Sequence, residues 1–293
     1  MNPSDSNSPA PEIQVPAAPV SRGLSRKWTY GILALCLLFV LMPYLFWQST
    51  WFGNPLTPAE IAKNLADREH PRKAQHALAQ IADAIIRKDE SVKRFYPQVV
   101  DLAAHSVDEI RVTAAWGMGQ DNSVPEFHTA LATLLRDPNP MVRRNAALGL
   151  VRFQDAAGHD EIVAMLKPYA MPSPAAGTLV QRLKPGDVVN PGTLLGRIKV
   201  GEEEKEFRSH VPGTLTRWLA PDNSPVQSGQ PIIEIEPDPA LVWEALRALV
   251  IIGKPDDLSA IEAYLAPREN FPQQIREQAR QTIAAIQKRA TLQ

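Results

Sequence analysis

Residues 174–198 and 210–235 are two copies of one pattern, and that duplication limits what this part of the chain can fold into. The first copy reads Pro174-Ala-Ala-Gly177-Thr-Leu179, then Leu183-Lys-Pro185-Gly186-Asp-Val188, then Pro191-Gly192-Thr-Leu194-Leu195 to Ile198. The second reads His210-Val-Pro212-Gly213-Thr-Leu215, then Leu219-Ala-Pro221, then Val226-Gln-Ser-Gly229-Gln-Pro-Ile232 to Ile235. Gly177/Gly213, Leu179/Leu215 and Pro185/Pro221 are 36 apart, while Gly192/Gly229 and Ile198/Ile235 are 37 apart, so the second copy holds one extra turn residue. Short alternating strands broken by Pro-Gly and Ser-Gly turns predict a small all-β domain made of two equivalent halves.

The repeated Gly-Thr-Leu and Gly-x-x-Leu signatures resemble the biotinyl/lipoyl-attachment family, a flattened barrel (barrel-sandwich hybrid) of two interlocked halves. The resemblance covers roughly residues 172–237. In that family a modified lysine sits at the hairpin tip between the halves. Counting forward from Gly192-Thr-Leu194-Leu195 and backward from Gly213 puts the tip at Gly201-Glu202, with Glu202 in the lysine's place. A carboxylate cannot form the amide that holds biotin or lipoate. Lys205 follows three residues on, between Glu204 and Glu206. The resemblance therefore implies the fold without the carrier role, and no cofactor is expected. Unmodified domains of this type serve as protein-contact modules in periplasmic adaptor subunits, which makes Glu202, Glu203, Glu204 and Lys205 an expected interaction tip.

A second period marks the helical part. Asp108-Glu-Ile-Arg111-Val-Thr-Ala114-Ala115-Trp116-Gly117 is echoed by Pro140-Met-Val142-Arg143-Arg144-Asn-Ala146-Ala147-Leu148-Gly149, with Arg111/Arg143, Ala114/Ala146 and Gly117/Gly149 all 32 apart. A period of this size signals stacked helical repeats. The Val-Arg-x-x-Ala-Ala-x-x-Leu-Gly pattern resembles HEAT repeats. Paired alanines let inner helices approach closely, and residues 89–105 and 124–136 are the expected outer helices. A weaker echo begins at His70-Pro71-Arg72. Thr57-Pro58-Ala59-Glu60 reads as a capping box at the first helix. Beyond the β domain, 241–251 reads as an inner helix, 256–265 as an outer one and 275–283 as a closing inner helix with a polar terminal face. Residues 159–167 lack an inner partner and 241–251 lack an outer one, so the β domain is expected to interrupt a single repeat.

The chain has 293 residues, a net charge of −1 and one cysteine, Cys36. No basic field points to nucleic acid, and a lone cysteine excludes an intrachain disulfide framework. Prolines 3, 9, 11, 16 and 19 punctuate residues 1–27, read as a disordered cytoplasmic tail. Trp28 to Trp47 contains no charge over 20 residues, and aromatic residues bracket the run, which predicts a transmembrane helix over 28–51. Arg22, Arg26 and Lys27 precede it and the first cation beyond is Lys63. That bias predicts a single-pass protein with its N-terminus in the cytoplasm and its bulk in a bacterial periplasm.

The expected fold class is thus multidomain: a transmembrane helix (28–51), an all-α HEAT-like solenoid (55–169 and 238–293) and an inserted all-β barrel-sandwich hybrid (170–237). The histidines form no His-Glu-x-x-His pair, and neither a phosphate loop nor a nucleophile elbow is present. No catalytic, cofactor or metal residues are expected. Trp116-Gly117-Met118-Gly119 is read as a core repeat position, and Arg111, Arg143 and Arg144 as partners of neighbouring turns such as Asp108 and Asp137. The expected function is a non-enzymatic, membrane-anchored scaffold that assembles a membrane or envelope complex through protein partners. The alternatives are an export adaptor, whose long coiled hairpin would not fit between Ile198 and His210; a biotin or lipoyl carrier, which Glu202 argues against; and a repeat-type lyase, for which no acid/base constellation is visible.

Overall fold

The computed structural model of the protein describes residues 26–49, 55–268 and 270–292. The chain divides into two units, Met1–Pro55 and Leu56–Gln293. In the first, Arg26–Ser49 forms helix α1 with Pro43 inside it. The tail expected to be disordered, and the end of the anchor at Trp51, fall largely outside the described residues. Among the described residues no helix is long and apolar enough to cross a membrane. This overturns the expected single-pass placement, with the N-terminus in the cytoplasm and the bulk in the periplasm, because that topology needed a spanning helix.

In the second unit the helices precede and follow a block of strands. Before it come α2 (Pro58–Ala66), α3 (Pro71–Ile86), α4 (Tyr96–Leu102), α5 (Asp108–Met118), α6 (Pro125–Leu134), α7 (Pro140–Arg152) and α8 (His159–Ala164). After it come α9 (Pro239–Ile252), α10 (Leu258–Glu262) and α11 (Gln273–Ala290). Proline stands in the first turn of α2, α3, α4, α6, α7 and α9, where a missing N–H costs nothing. Thr57 and Glu60 form the expected capping box, with the Thr57 amide donating to Glu60 Oε2 at 2.7 Å and the Glu60 amide to Thr57 Oγ1 at 3.4 Å.

Two expected outer helices are broken. Residues 90–95 form a 3-10 turn that runs into α4, because Pro97 has no N–H to extend an α-helix across it. Similarly, Pro255–Asp257 is a 3-10 turn ahead of the short α10.

Helices α3, α5, α7, α9 and α11 pack successively side by side, with α4, α6, α8 and α10 against them as an outer layer. Ala114, Ala115, Ala146 and Ala147 are fully buried where inner helices meet. Gly149 approaches Gly119 so closely that a Cβ on Gly119 would lie 2.9 Å from the Gly149 Cα. One hydrophobic cluster joins Ala147, Val151, Ile162 and Met165, before the strands, to Val242, Leu246, Leu249 and Ile275, after them. The helical layers therefore continue across the strand block.

The strands are β1 (Tyr169–Pro172), β2 (Gly177–Gln181), β3 (Val188–Val189), β4 (Leu194–Val200), β5 (Glu203–Arg208), β6 (Gly213–Trp218), β7 (Pro225–Val226) and β8 (Pro231–Pro237). They form two four-stranded sheets, β1-β8-β6-β3 and β5-β4-β2-β7, with antiparallel pairs throughout. The duplication is visible in the pairing: β2 with β4 places Leu179 opposite Ile198, and β6 with β8 places Leu215 opposite Ile235. Each short strand crosses to the other copy, β3 to β6 and β7 to β2, so the halves interlock.

The repeated glycine has the same role in both copies. A Cβ on Gly177 would meet Lys199 O at 2.3 Å and Ile198 Cγ2 at 2.7 Å; on Gly213 it would meet Glu236 O at 2.0 Å and Ile235 Cγ2 at 2.8 Å. Leu179, Val189, Leu195, Ile198, Leu215, Val226, Ile232 and Ile235 fill a core between the sheets that is separate from the helical cores.

Candidate interaction surfaces

The hairpin between β4 and β5 turns at Gly201-Glu202, and Gly201 takes φ +64°, which a glycine adopts without strain. Glu202, Glu203, Glu204 and Lys205 are all exposed. Glu203 stands opposite Val200, Glu204 opposite Lys199 and Lys205 opposite Ile198. Glu204 lies 3.6 Å from both the Lys199 ammonium and the Arg197 guanidinium, and Glu206 bonds Arg208 at 2.7 Å. Exposed pairs of this kind contribute about 0.2–1 kcal/mol each. The tip is therefore a carboxylate-bearing turn, and Lys205 lies on the returning strand rather than in the turn.

A second surface opens on the inner helices. Trp116 and Gln120 at the end of α5, Leu148 and Arg152 of α7, and Leu241, Arg247 and Ile251 of α9 line one groove. Trp116, expected in the core, is 38% exposed and Ile251 55%. The buried side of α5 is set by Ile110, Ala114, Ala115 and Met118, and one residue beyond Ala115 the helix has turned by about 100°, so Trp116 leaves that face. Two polar links brace the groove wall: Arg152 Nη1 donates to Gln120 Oε1 at 2.6 Å, and Asn122 Nδ2 to Arg152 O at 2.8 Å. The sequence carried a usable signal here, since Trp116/Leu148 and Gln120/Arg152 are both 32 apart and the repeat brings both pairs into the same wall.

The arginines sort as structural groups. Arg111 donates through Nε to Asp137 Oδ2 at 2.7 Å and through Nη2 to Asp137 Oδ1 and Asp108 Oδ1, each at 3.0 Å. Its Nη1 reaches the carbonyls of His105 at 2.8 Å and Ser106 at 3.2 Å. Burial pushes the Asp137 carboxyl up, but the bonds from Arg111 and the Asn139 amide, with the charges of Arg111 and Arg143, outweigh it and hold the group below the usual carboxylate range. Arg143 bonds Glu161 at 2.9 Å and the Asp137 carbonyl at 2.9 Å. Arg144 is the exception: its side chain is 3% exposed, Glu161 Oε1 is 3.7 Å from its Nε, and that Nε has no hydrogen-bond partner.

The histidines are held singly. His159 bonds Asp257 and His128 bonds Asp155, both at 2.8 Å. His105 accepts the Val107 amide at 3.0 Å, and burial, with the nearby Arg68 and Arg111 charges, lowers its proton affinity. Among the described residues no group of histidine, cysteine and carboxylate side chains is placed to hold a metal ion.

Residues 129–157 match the HEAT repeat family; the segment runs from within α6 through α7. With the paired helices on either side, that match makes the helical part of the chain a helical-repeat fold. HEAT repeats generally mediate protein–protein contacts. No curated protein matches the chain. A solved structure described as a single-chain, multi-domain long-chain acyl-CoA carboxylase aligns at 18% identity over 42% of this chain and 14% of its own, with a TM-score of 0.23. A likeness that low carries no argument about fold or chemistry, and this chain spans only that 14% of the carboxylase.

Proposed function

We propose that the protein is a non-enzymatic interaction scaffold that assembles a multiprotein complex. In this reading the helical repeats supply the main docking surface, and an inserted barrel-sandwich hybrid of the biotinyl/lipoyl type supplies a second one without being modified. The observation that carries the reading is the groove on α5, α7 and α9, where Trp116 and Ile251 expose apolar surface above an otherwise closed core. Tryptophan and arginine dominate binding energy at protein interfaces, and Trp116 and Arg152 line the same groove. Support for the β domain's class comes from its interlocked halves, and support for an unmodified role comes from the carboxylate of Glu202 at the turn where the carrier family keeps its lysine.

The test compares capture of partners by the tagged full chain, its Trp116→Ala/Ile251→Ala variant and its Glu202→Ala/Glu203→Ala/Glu204→Ala variant, with bound proteins identified by mass spectrometry. The groove variant is expected to lose one reproducible set of partners at unchanged melting temperature. Capture unaffected by either variant would remove the scaffold reading. Intact mass of the native protein is expected to equal that of the bare chain; a biotin or lipoate adduct on Lys205 would replace the scaffold with the carrier reading.

A further inference from the structure

The β domain touches the helices through a small contact, and beside that contact one buried donor of Arg144, its Nε, has no hydrogen-bond partner. The strands have their own core, to which, among the described residues, the helical layers add Met141 of α7 alone. One turn further along α7, Arg144 is covered to 3% exposure beside Tyr169, the first residue of β1, whose ring centroid lies 5.7 Å from the guanidinium carbon. Its carboxylate neighbour, Glu161, gives Oε2 to Arg143 and leaves Oε1 3.7 Å from the Arg144 Nε, an ion-pair distance too long for a hydrogen bond. Beside this contact an open cleft separates the two parts, with Asp108 and Glu109 on the α5 side and Arg208 and His210 on the β side. Among the described residues the one ion pair that spans the junction is Arg268 with Glu236 at 2.8 Å, partly exposed on both partners. The chain enters and leaves the β domain through neighbouring strands, with Tyr169 opposite Ile235, so both connections can turn together.

An arginine cannot shed its proton to escape burial. A buried charged donor left unbonded costs more than a neutral one, whereas water would satisfy it at once if the cover lifted. Burial accordingly disfavours the charged form of Arg144, and Glu161 offsets only part of that. Arg111 is the internal contrast, since it is comparably enclosed, at 10% exposure, but bonded to Asp108, Asp137 and two carbonyls.

We propose that the β domain is a hinged cover over Arg144, docked by a deliberately weak contact, and that its lifting presents Arg144 and Met141 as a latent binding surface for a partner's carboxylate beside an apolar group. The device is independent of the groove and of what binds there. Its opening is a sub-global event of the kind that leaves both cores intact.

The experiment is native-state labelling of the full chain with phenylglyoxal, a guanidinium reagent, read residue by residue by mass spectrometry, with exposed Arg247 as the reactive reference. Arg144 should label at least about tenfold faster than Arg111, the factor that corresponds to ~1.4 kcal/mol. Equal, slow labelling of Arg144 and Arg111 would overturn the proposal. Met141→Asp should raise the Arg144 rate further and leave that of Arg111 unchanged. An unchanged Arg144 rate in the folded variant would count against the hinge. If Arg111 also accelerates, the variant has unfolded, and the ratio in the parent chain decides.

Discussion

Replacing Arg111 by methionine tests how the repeats are held together. Methionine keeps much of the side-chain length and removes every donor. Asp137 is then left 6% exposed with the Asn139 amide, at 2.8 Å, as its remaining bond, whereas Asp108, at 43% exposure, can be hydrated. Breaking one partner of a buried pair costs about 3–5 kcal/mol, and the hydration of Asp108 points to the lower end, about 3 kcal/mol. For a unit of this size each kcal/mol shifts the melting temperature by about 2–4 °C, so circular dichroism at pH 7 should record a fall of about 6–12 °C. The pH dependence follows from the depressed Asp137 carboxyl. Its contribution is fully present above its unfolded pKa of about 3.9 and is lost as pH falls through the lower folded value. In the variant burial is no longer opposed by Arg111, so Asp137 takes up its proton at higher pH and the orphaned charge disappears. The gap between parent and variant should therefore be widest near neutrality and shrink below about pH 4. Asp137→Leu added to Arg111→Met should recover part of the loss. A cost under about 1 kcal/mol, typical of a surface pair, or a gap that stays constant down to acid pH, would refute the reasoning.

Leu246→Ala should destabilise the helical layers by about 2–5 kcal/mol, since Leu246 is fully buried in the cluster that joins helices from both sides of the strands; chemical denaturation gives the value, and a cost near zero would detach α9 from the array. Replacing Pro172–Pro237 by a short Gly/Ser linker should keep the helical circular dichroism and one cooperative melt, because the β core is separate, and loss of helical signal would show that the helices need the strands to fold.

Much of this architecture could be read from spacing, because a repeat puts equal residues into equal surroundings. The 36-residue step from Gly177 to Gly213 reappears as two glycines pressed against the carbonyls of Lys199 and Glu236. The 32-residue step from Ala114 to Ala146 reappears as two fully buried helix contacts. Arg111 was legible for a related reason: an arginine one turn into a helix, behind an Asp at its start, has few donors' targets within reach other than Asp108 and the turn of the next repeat. The failures have local causes. Residues 89–105 had helical composition, but Pro97 carries no N–H and splits the segment into a 3-10 turn and a short helix. Trp116 follows two buried alanines, but a further step of about 100° beyond Ala115 carries it off the arc of the helix that is buried. The run from Trp28 to Trp47 is long enough by count to span a membrane, whereas among the described residues no helix is long and apolar enough to do so.

Arg144 marks the limit of repeat logic. It follows Arg143, which aligns with Arg111, so the period assigns the pairing role to Arg143 and leaves its neighbour no equivalent: the corresponding position after Arg111 is Val112. The first repeat has an aliphatic residue there, partly buried and packed against the helical core. The second has a guanidinium, and the difference coincides with the place where the β domain meets α7 through Met141 and Tyr169. A helical array alone would be satisfied by another aliphatic residue at 144. The guanidinium at that position stacks on Tyr169 of the β domain and pairs with Glu161 only at 3.7 Å, and the unbonded Nε beneath that contact is the reason to look for a further partner outside the chain.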